Sequence, residues 1–234
     1  MKEIITLQSE QCDVLSQRCE EVNIKSENDL VREIILALKD TIRNSQNCVG
    51  LAAPQIGYTK RIFCINFKGD IRTFINPIIT NAKGLSLSRE GCMSCPGKEY
   101  IRPRNNEIWV YYQTPLGKTE SVKLFGFAAH VFQHELDHLD GITLADIGLE
   151  IDESYDKASE QERSELLTAY LDSLDLKQKQ LQKEIEQDPE LKKLDDSIKF
   201  MEAVQKGEVK VEQQSFSEEQ MNAAREKASS TSQD

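Results

Sequence analysis

The residues best placed to do chemistry are His134-Glu135-Leu136-Asp137-His138. On an α-helix, positions four apart share a face, so both imidazoles can bind one metal ion. Glu135 lies beside that face, where a carboxylate can take a proton from a water polarised by the ion. The pattern points to a metal-dependent hydrolase. The plain alternative is two histidines on a charged helix. The chain has three histidines in all, and His130, His134 and His138 share one short segment. Asp137 and Asp140 are either acceptors for the outer nitrogens of the ligands or solvated charges.

Two histidines leave a catalytic site one protein ligand short. No histidine follows His138, and nothing in the surrounding sequence frames Glu150 or Glu153 as a ligand. Upstream, Cys92 offers a thiolate within Glu90-Gly91-Cys92-Met93-Ser94. A further segment, VGLAAPQ at 49–55, is rich in small residues and ends in the amide of Gln55. Alone it is an ordinary turn.

Taken together, VGLAAPQ (49–55), EGCMS (90–94) and HELDH (134–138) resemble the three ordered motifs of peptide deformylases: a Gly-rich segment ending in Gln, then EGCLS, then HExDH. DVLSQRCEEV, INP at 75–77 and QHELDHLDG are also similar to that family, and the resemblance covers about residues 1–148. It implies removal of the formyl group from N-terminal formyl-methionine. It implies that Cys92, His134 and His138 bind one divalent metal ion with a fourth position left for water. Glu135 then moves the proton, while the Gln55 amide and the Met93 backbone N–H donate to the developing oxyanion. Charge building on one oxygen is what preorganised donors stabilise. By the same resemblance, Gly50 and Leu51 supply backbone to an extended peptide, and Phe127, His130 and Val131 rim the methionine pocket. Phe127 and Val131 are equally readable as core. Fe2+ is the expected ion, with Zn2+, Ni2+ or Co2+ as substitutes in isolated material; ligand type alone rarely selects a metal.

The chain departs from the family pattern in places. Cys48 stands where the motif usually begins with Gly, which raises the question of crowding or of positive φ. Met93 replaces the usual Leu, and Arg89 replaces a common acidic residue. His130 is one turn before His134 and is a rival ligand by spacing. Cys95 is a small apolar filler close to Cys92. Three rival readings are a structural zinc module built from Cys92, Cys95, His134 and His138, a zinc protease built on HExxH alone, and a deformylase-like binding scaffold. The first leaves Glu135 and Gln55 without a use.

These residues need elements to hold them. Residues 29–43 place Leu30, Ile34, Leu38 and Ile42 at helical spacing, with Asn28 or Ser26 as the cap. NSQNCVGLAAPQIG reads as a loop. RIFCINF, TFINPIIT, EIWVYYQT and SVKLFGF read as strands between Gly and Pro residues. FAAHVFQHELDHLDG is a second helix ending near Gly141. The expected fold is α+β, with small antiparallel or mixed sheets packed around a central HExxH helix.

The charge is uneven. Residues 1–151 hold 17 Lys+Arg against 19 Asp+Glu, whereas 152–234 hold 12 against 21. The expected organisation is a catalytic domain at 1–150 and an acidic, mostly helical extension at 151–234 with a disordered end. Leu167, Tyr170, Leu171, Leu174, Leu181 and Ile185 form one apolar stripe, broken at Pro189. Leu191, Leu194, Ile198, Met201 and Val204 form another, and Ser217 with Gln220 resembles a capping box. A net charge of −11 argues against direct nucleic-acid binding. No apolar run approaches a membrane span, and no secretory signal or transit peptide is visible. The six cysteines read as thiols or metal ligands rather than a disulfide frame. The expected setting is the cytoplasm of a bacterium, or of a phage's bacterial host, acting on nascent chains at the ribosome.

Overall fold

Hydrophobic periodicity makes the first helix, α1, over Asn28–Asn44, with Val31, Ile34, Ile35, Leu38, Thr41 and Ile42 on its buried face. Its N-cap is Glu27 rather than Asn28 or Ser26; the Glu27 carboxylate instead accepts the Asn23 N–H at 2.7 Å. The structure is a computed structural model that describes residues 2–189 and Lys192.

After α1 comes strand β1 (Gly50–Ala52), followed by a 3-10 turn at Ala53–Ile56 that has Pro54 as its second residue and closes on Gly57. This replaces the loop expected there; three residues are too few to display a period-two pattern. Then follow β2 (Ile62–Phe67), β3 (Asp70–Gly91), β4 (Glu99–Gln113) and β5 (Thr119–Phe125). The strands form one antiparallel sheet in the order β1-β2-β3-β4-β5, and a short β6 (Leu149–Ile151) pairs with the start of β4. The β3 register shifts between Ile75 and Ile78, where Asn76 takes φ 47° ahead of Pro77. Proline cannot donate to a ladder. The Asn76 side chain substitutes by accepting from Val22 N at 2.9 Å and donating to Val22 O at 2.8 Å.

The second helix, α2 (Phe127–Leu139), lies against β1, β2, β4 and β5. Phe132 fixes it: its ring is edge-on to Phe63 at 5.0 Å and to Phe74 at 5.2 Å, and all three are fully buried. Gly141 ends the run with φ +74°, where a Cβ would also lie 2.7 Å from the Ser16 carbonyl oxygen. Only glycine meets both demands.

Short helices α3 (Leu144–Ile147) and α4 (Glu153–Lys157) lead to α5 (Glu160–Gln187), which carries the first predicted stripe and stops just before Pro189. The second stripe, apart from its one described neighbour Lys192, and the Ser217 cap lie outside the described residues. Packing divides the chain into two units, Met1–Leu171 and Asp172–Asp234. Thus β6, α4 and the beginning of α5 belong to the same unit as the three motifs. Among the described residues, no helix is long and apolar enough to cross a membrane.

Candidate metal centre

Cys92 leaves β3 at the first residue after the strand, while His134 and His138 come from one face of α2. One ligand atom from each converges so that all three lie within 4.8 Å of one another. Cys92 Sγ is 3.3 Å from His138 Nε2, and the two imidazole centroids are 5.0 Å apart. A tetrahedral ion with ordinary metal–sulfur and metal–nitrogen bonds needs S···N separations of about 3.5 Å. The donor set therefore fits a borderline divalent cation. Cys95 and His130 are not in this cluster. Cys95 is buried with Cys92, Tyr100 and Leu144. His130 Nε2 lies 2.9 Å from Asn106 Oδ1 and 3.3 Å from Ser86 Oγ. None of the six cysteines forms a disulfide.

The ligands are held from behind by a buried ionic network. His134 Nδ1 lies 3.0 Å from Glu90 Oε2, which leaves Nε2 for the centre. Glu90 accepts two parallel bonds from Arg104, both 2.8 Å, and Arg104 donates a further bond of 2.5 Å to Asp137, which also pairs with Arg102. Arg104 is only 2% exposed. Burial would raise the Glu90 pKa, but Arg104 and His134 hold it well below the usual carboxylate range. Burial would lower His134, yet its bond to Glu90 leaves it raised. His138, with no such partner, is pushed well below the usual histidine value by burial and then by its neighbour His134. Asp140 pairs with Arg61 at 2.7 Å, so neither aspartate on the helix is a bare solvated charge.

Glu135 is 3% exposed, and its Oε2 has no hydrogen-bond partner. Burial raises its pKa to about 7, a value suited to taking and returning a proton near neutrality. Its carboxylate rests against Gly50, where an added Cβ would sit 2.3 Å from Oε1. This close approach explains the glycine in the first motif. The positive φ in that loop falls on Asn47 (59°), not on Cys48, whose thiol instead donates to Gly50 O at 3.2 Å. A side chain at 48 is thereby accommodated.

Gln55 is aimed by its own carbonyl. Oε1 accepts the Ala52 N–H at 2.9 Å, which turns Nε2 toward Ser94 Oγ (3.2 Å) and Cys92 Sγ (3.6 Å). A cavity of about 710 Å³ opens over this arrangement, and Gly50, Gln55, Met93, Phe127, His130 and Val131 all line it. Phe127 is 69% exposed at its wall rather than in the core, and Val131 both lines it and packs on the Phe63–Phe74–Phe132 cluster. Leu51 does not line it: the side chain is wholly buried under α1 and its backbone is opposite Cys64. Sequence reasoning missed Arg104, Arg102 and Ser94. An arginine in a strand reads as a surface residue, and no spacing pairs it with a glutamate fourteen positions earlier.

The model of the polypeptide deformylase family matches residues 1–152. A peptide deformylase of Dictyoglomus turgidum is 38% identical over 137 residues, which is 58% of this chain and 86% of that protein. The crystal structure of peptide deformylase from Thermotoga maritima superposes with a TM-score of 0.56 at 33% identity, covering 62% of this chain and 96% of that one. PDF from the Vibrio parahaemolyticus bacteriophage VP16T, in complex with actinonin, gives a TM-score of 0.51 at 32% identity over 61% and 99% of the two chains. Ordered motifs, antiparallel sheet and family model agree over the same span, and this chain belongs to the polypeptide deformylase family, enzymes that remove the formyl group from N-terminal formyl-methionine.

Proposed function

We propose that this chain deformylates N-terminal formyl-methionyl peptides at the Cys92/His134/His138 centre. The observation that supports this most is the convergence of those three ligand atoms beside a buried, unpartnered Glu135 oxygen. A divalent cation there, expected as Fe2+ and replaceable by Zn2+, Ni2+ or Co2+, supplies Lewis acidity that eases deprotonation of water. Glu135 accepts the proton of the attacking water and returns it to the departing amine. The Gln55 amide, fixed by Ala52, and the Met93 N–H donate to the formyl oxygen as charge collects on it. The backbone at Gly50 aligns the peptide, and Phe127, His130 and Val131 surround the methionine side chain.

The substrates are nascent chains in the cytoplasm of a bacterium or of a phage's host, with no nucleic acid contacted directly. The bacterial relative and the phage structure both support that setting. The test is formate release from formyl-Met-Ala-Ser by full-length protein loaded anaerobically with iron. Turnover that disappears when the iron is removed and returns on reloading is expected. A metal-loaded, folded protein that releases no formate would favour a binding scaffold.

A further inference from the structure

Helix α5 is mostly polar, yet it buries one side chain. Among its described residues only Tyr170 is buried, to 9% exposure. A buried phenol needs a partner, and Tyr170 donates to the Ile147 carbonyl at 2.7 Å. Ile147 ends α3, and the next residues run into β6, which pairs with Glu99–Ile101 immediately before Arg102. The Tyr170 ring is near enough to Arg102, Arg104 and Glu90 for their charges to act on it. A second tie reaches the same strands: Asp156 on α4 accepts two bonds from Arg89, at 2.7 and 3.0 Å, one residue before Glu90. In the sheet, Arg89 faces Ile101 and Glu90 faces Tyr100. The Asp156 tie therefore falls on β3 beside Glu90, and the Tyr170 tie fastens α5 to the segment that leads into β6; both Asp156 and Tyr170 lie beyond the span of the family model.

We propose that Tyr170 is a positioning residue for the metal centre, closing the Arg104–Glu90–His134 network against water. This rests on reading Cys92, His134 and His138 as the ligands. An ion pair in a dry, low-dielectric setting holds its geometry far better than a wetted one. Water reaching Glu90 would compete for its lone pairs and loosen the bond that fixes the His134 ring, and groups that orient a ligand govern metal retention. Tyr170 touches neither substrate nor ion; it acts through Arg104 and Glu90.

The experiment follows metal loss from zinc-loaded full-length protein to excess EDTA, with circular dichroism and Tm recorded on the same samples. Direct removal of a ligand's hydrogen-bond partner typically costs about 10–100-fold in metal affinity. At a further remove from the ligand, Tyr170→Leu should speed release about tenfold and Tyr170→Phe, which keeps the ring, about threefold. Both should do so at temperatures where their spectra match the parent. A lower Tm with unchanged release would make Tyr170 a packing residue only and overturn the proposal. Because Tyr170→Leu risks misfolding, a double-mutant cycle pairs Tyr170→Phe with Glu90→Gln. Effects on release that are not additive are expected for residues acting through one network; simple additivity would overturn it. Cys92→Ser separates the two levels of the argument. If Cys92→Ser keeps its zinc, the ligand assignment fails. If it loses zinc while the Tyr170 variants release like the parent, only the role of Tyr170 fails.

Discussion

Replacing Arg104 with methionine is the most informative perturbation of the support behind the centre. The side chain is 2% exposed and makes two bonds of 2.8 Å to Glu90 and one of 2.5 Å to Asp137. Methionine fills similar space but leaves Glu90 with His134 alone and Asp137 with Arg102. Removing one partner of a buried ionic set typically costs about 3–5 kcal/mol. Since Asp137 keeps a cation, the lower end is expected. With a urea slope of about 2–3 kcal/mol/M for a protein of this size, the midpoint should fall by roughly 1–2 M. Glu90 also predicts a pH signature. Its folded pKa lies below the unfolded reference of 4.5 because Arg104 and His134 overcome the effect of burial. A depressed carboxylate contributes its stability fully above the unfolded pKa, and that stability is lost as pH falls through the folded value. In Arg104→Met burial is no longer opposed by the guanidinium, so the Glu90 pKa rises. The gap between the two proteins should widen as pH rises through the acid range and narrow as pH falls toward the low folded value of Glu90 in the parent. The assay is urea unfolding at saturating zinc across that range, with zinc affinity by chelator competition, where a loss of about 10–100-fold is expected. A variant within about 1 kcal/mol of the parent at every pH, with unchanged zinc affinity, would refute the reasoning.

Three further outcomes are expected. Glu135→Gln should keep its metal while formate release falls by about 10²–10⁴-fold, since the ligands remain and proton transfer does not; near-normal turnover would remove Glu135 from the chemistry. Cys95→Ser should retain one ion per chain and Cys92→Ser should lose it or hold it far more weakly, as measured by metal analysis after gel filtration; the reverse result would restore the Cys₂His₂ zinc reading. A chain ending after Leu171 should fold, bind metal and deformylate a short peptide at a similar rate, because the packed unit that contains the motifs ends there; a folded, metal-loaded but inactive product would mean that residues beyond 171 shape the site.

What the sequence made legible follows from which interactions have a period. The α1 stripe and the α2 ligand face stand out because Ile34, Leu38 and Ile42, and likewise His134 and His138, recur every four residues. The strand β1 does not, because Gly-Leu-Ala is too short to alternate. Half of β3 was also hidden: residues 81–91 are polar and mostly exposed, and only their pairing with β4 from Asn81↔Trp109 to Gly91↔Glu99 makes them strand. At the site, motif order brought Cys92 to the histidines across 41 intervening residues, but nothing local announced Arg104 or Tyr170. Their partners come from other elements, and a buried ionic network carries no one-dimensional signature. The acidic composition that begins near residue 152 marks a change in charge, not in packing, and the compact unit extends to Leu171 through side chains such as Tyr170 that pack inward.

The central claim is that one cation is held by one sulfur and two imidazole nitrogens, with Cys92 as the only thiolate. X-ray absorption at the zinc edge of the zinc-loaded full chain measures this directly. The account predicts a single sulfur at about 2.3 Å and two imidazole nitrogens at about 2.0–2.1 Å. Two sulfurs, bringing Cys95 into the set, or none at all, would contradict it.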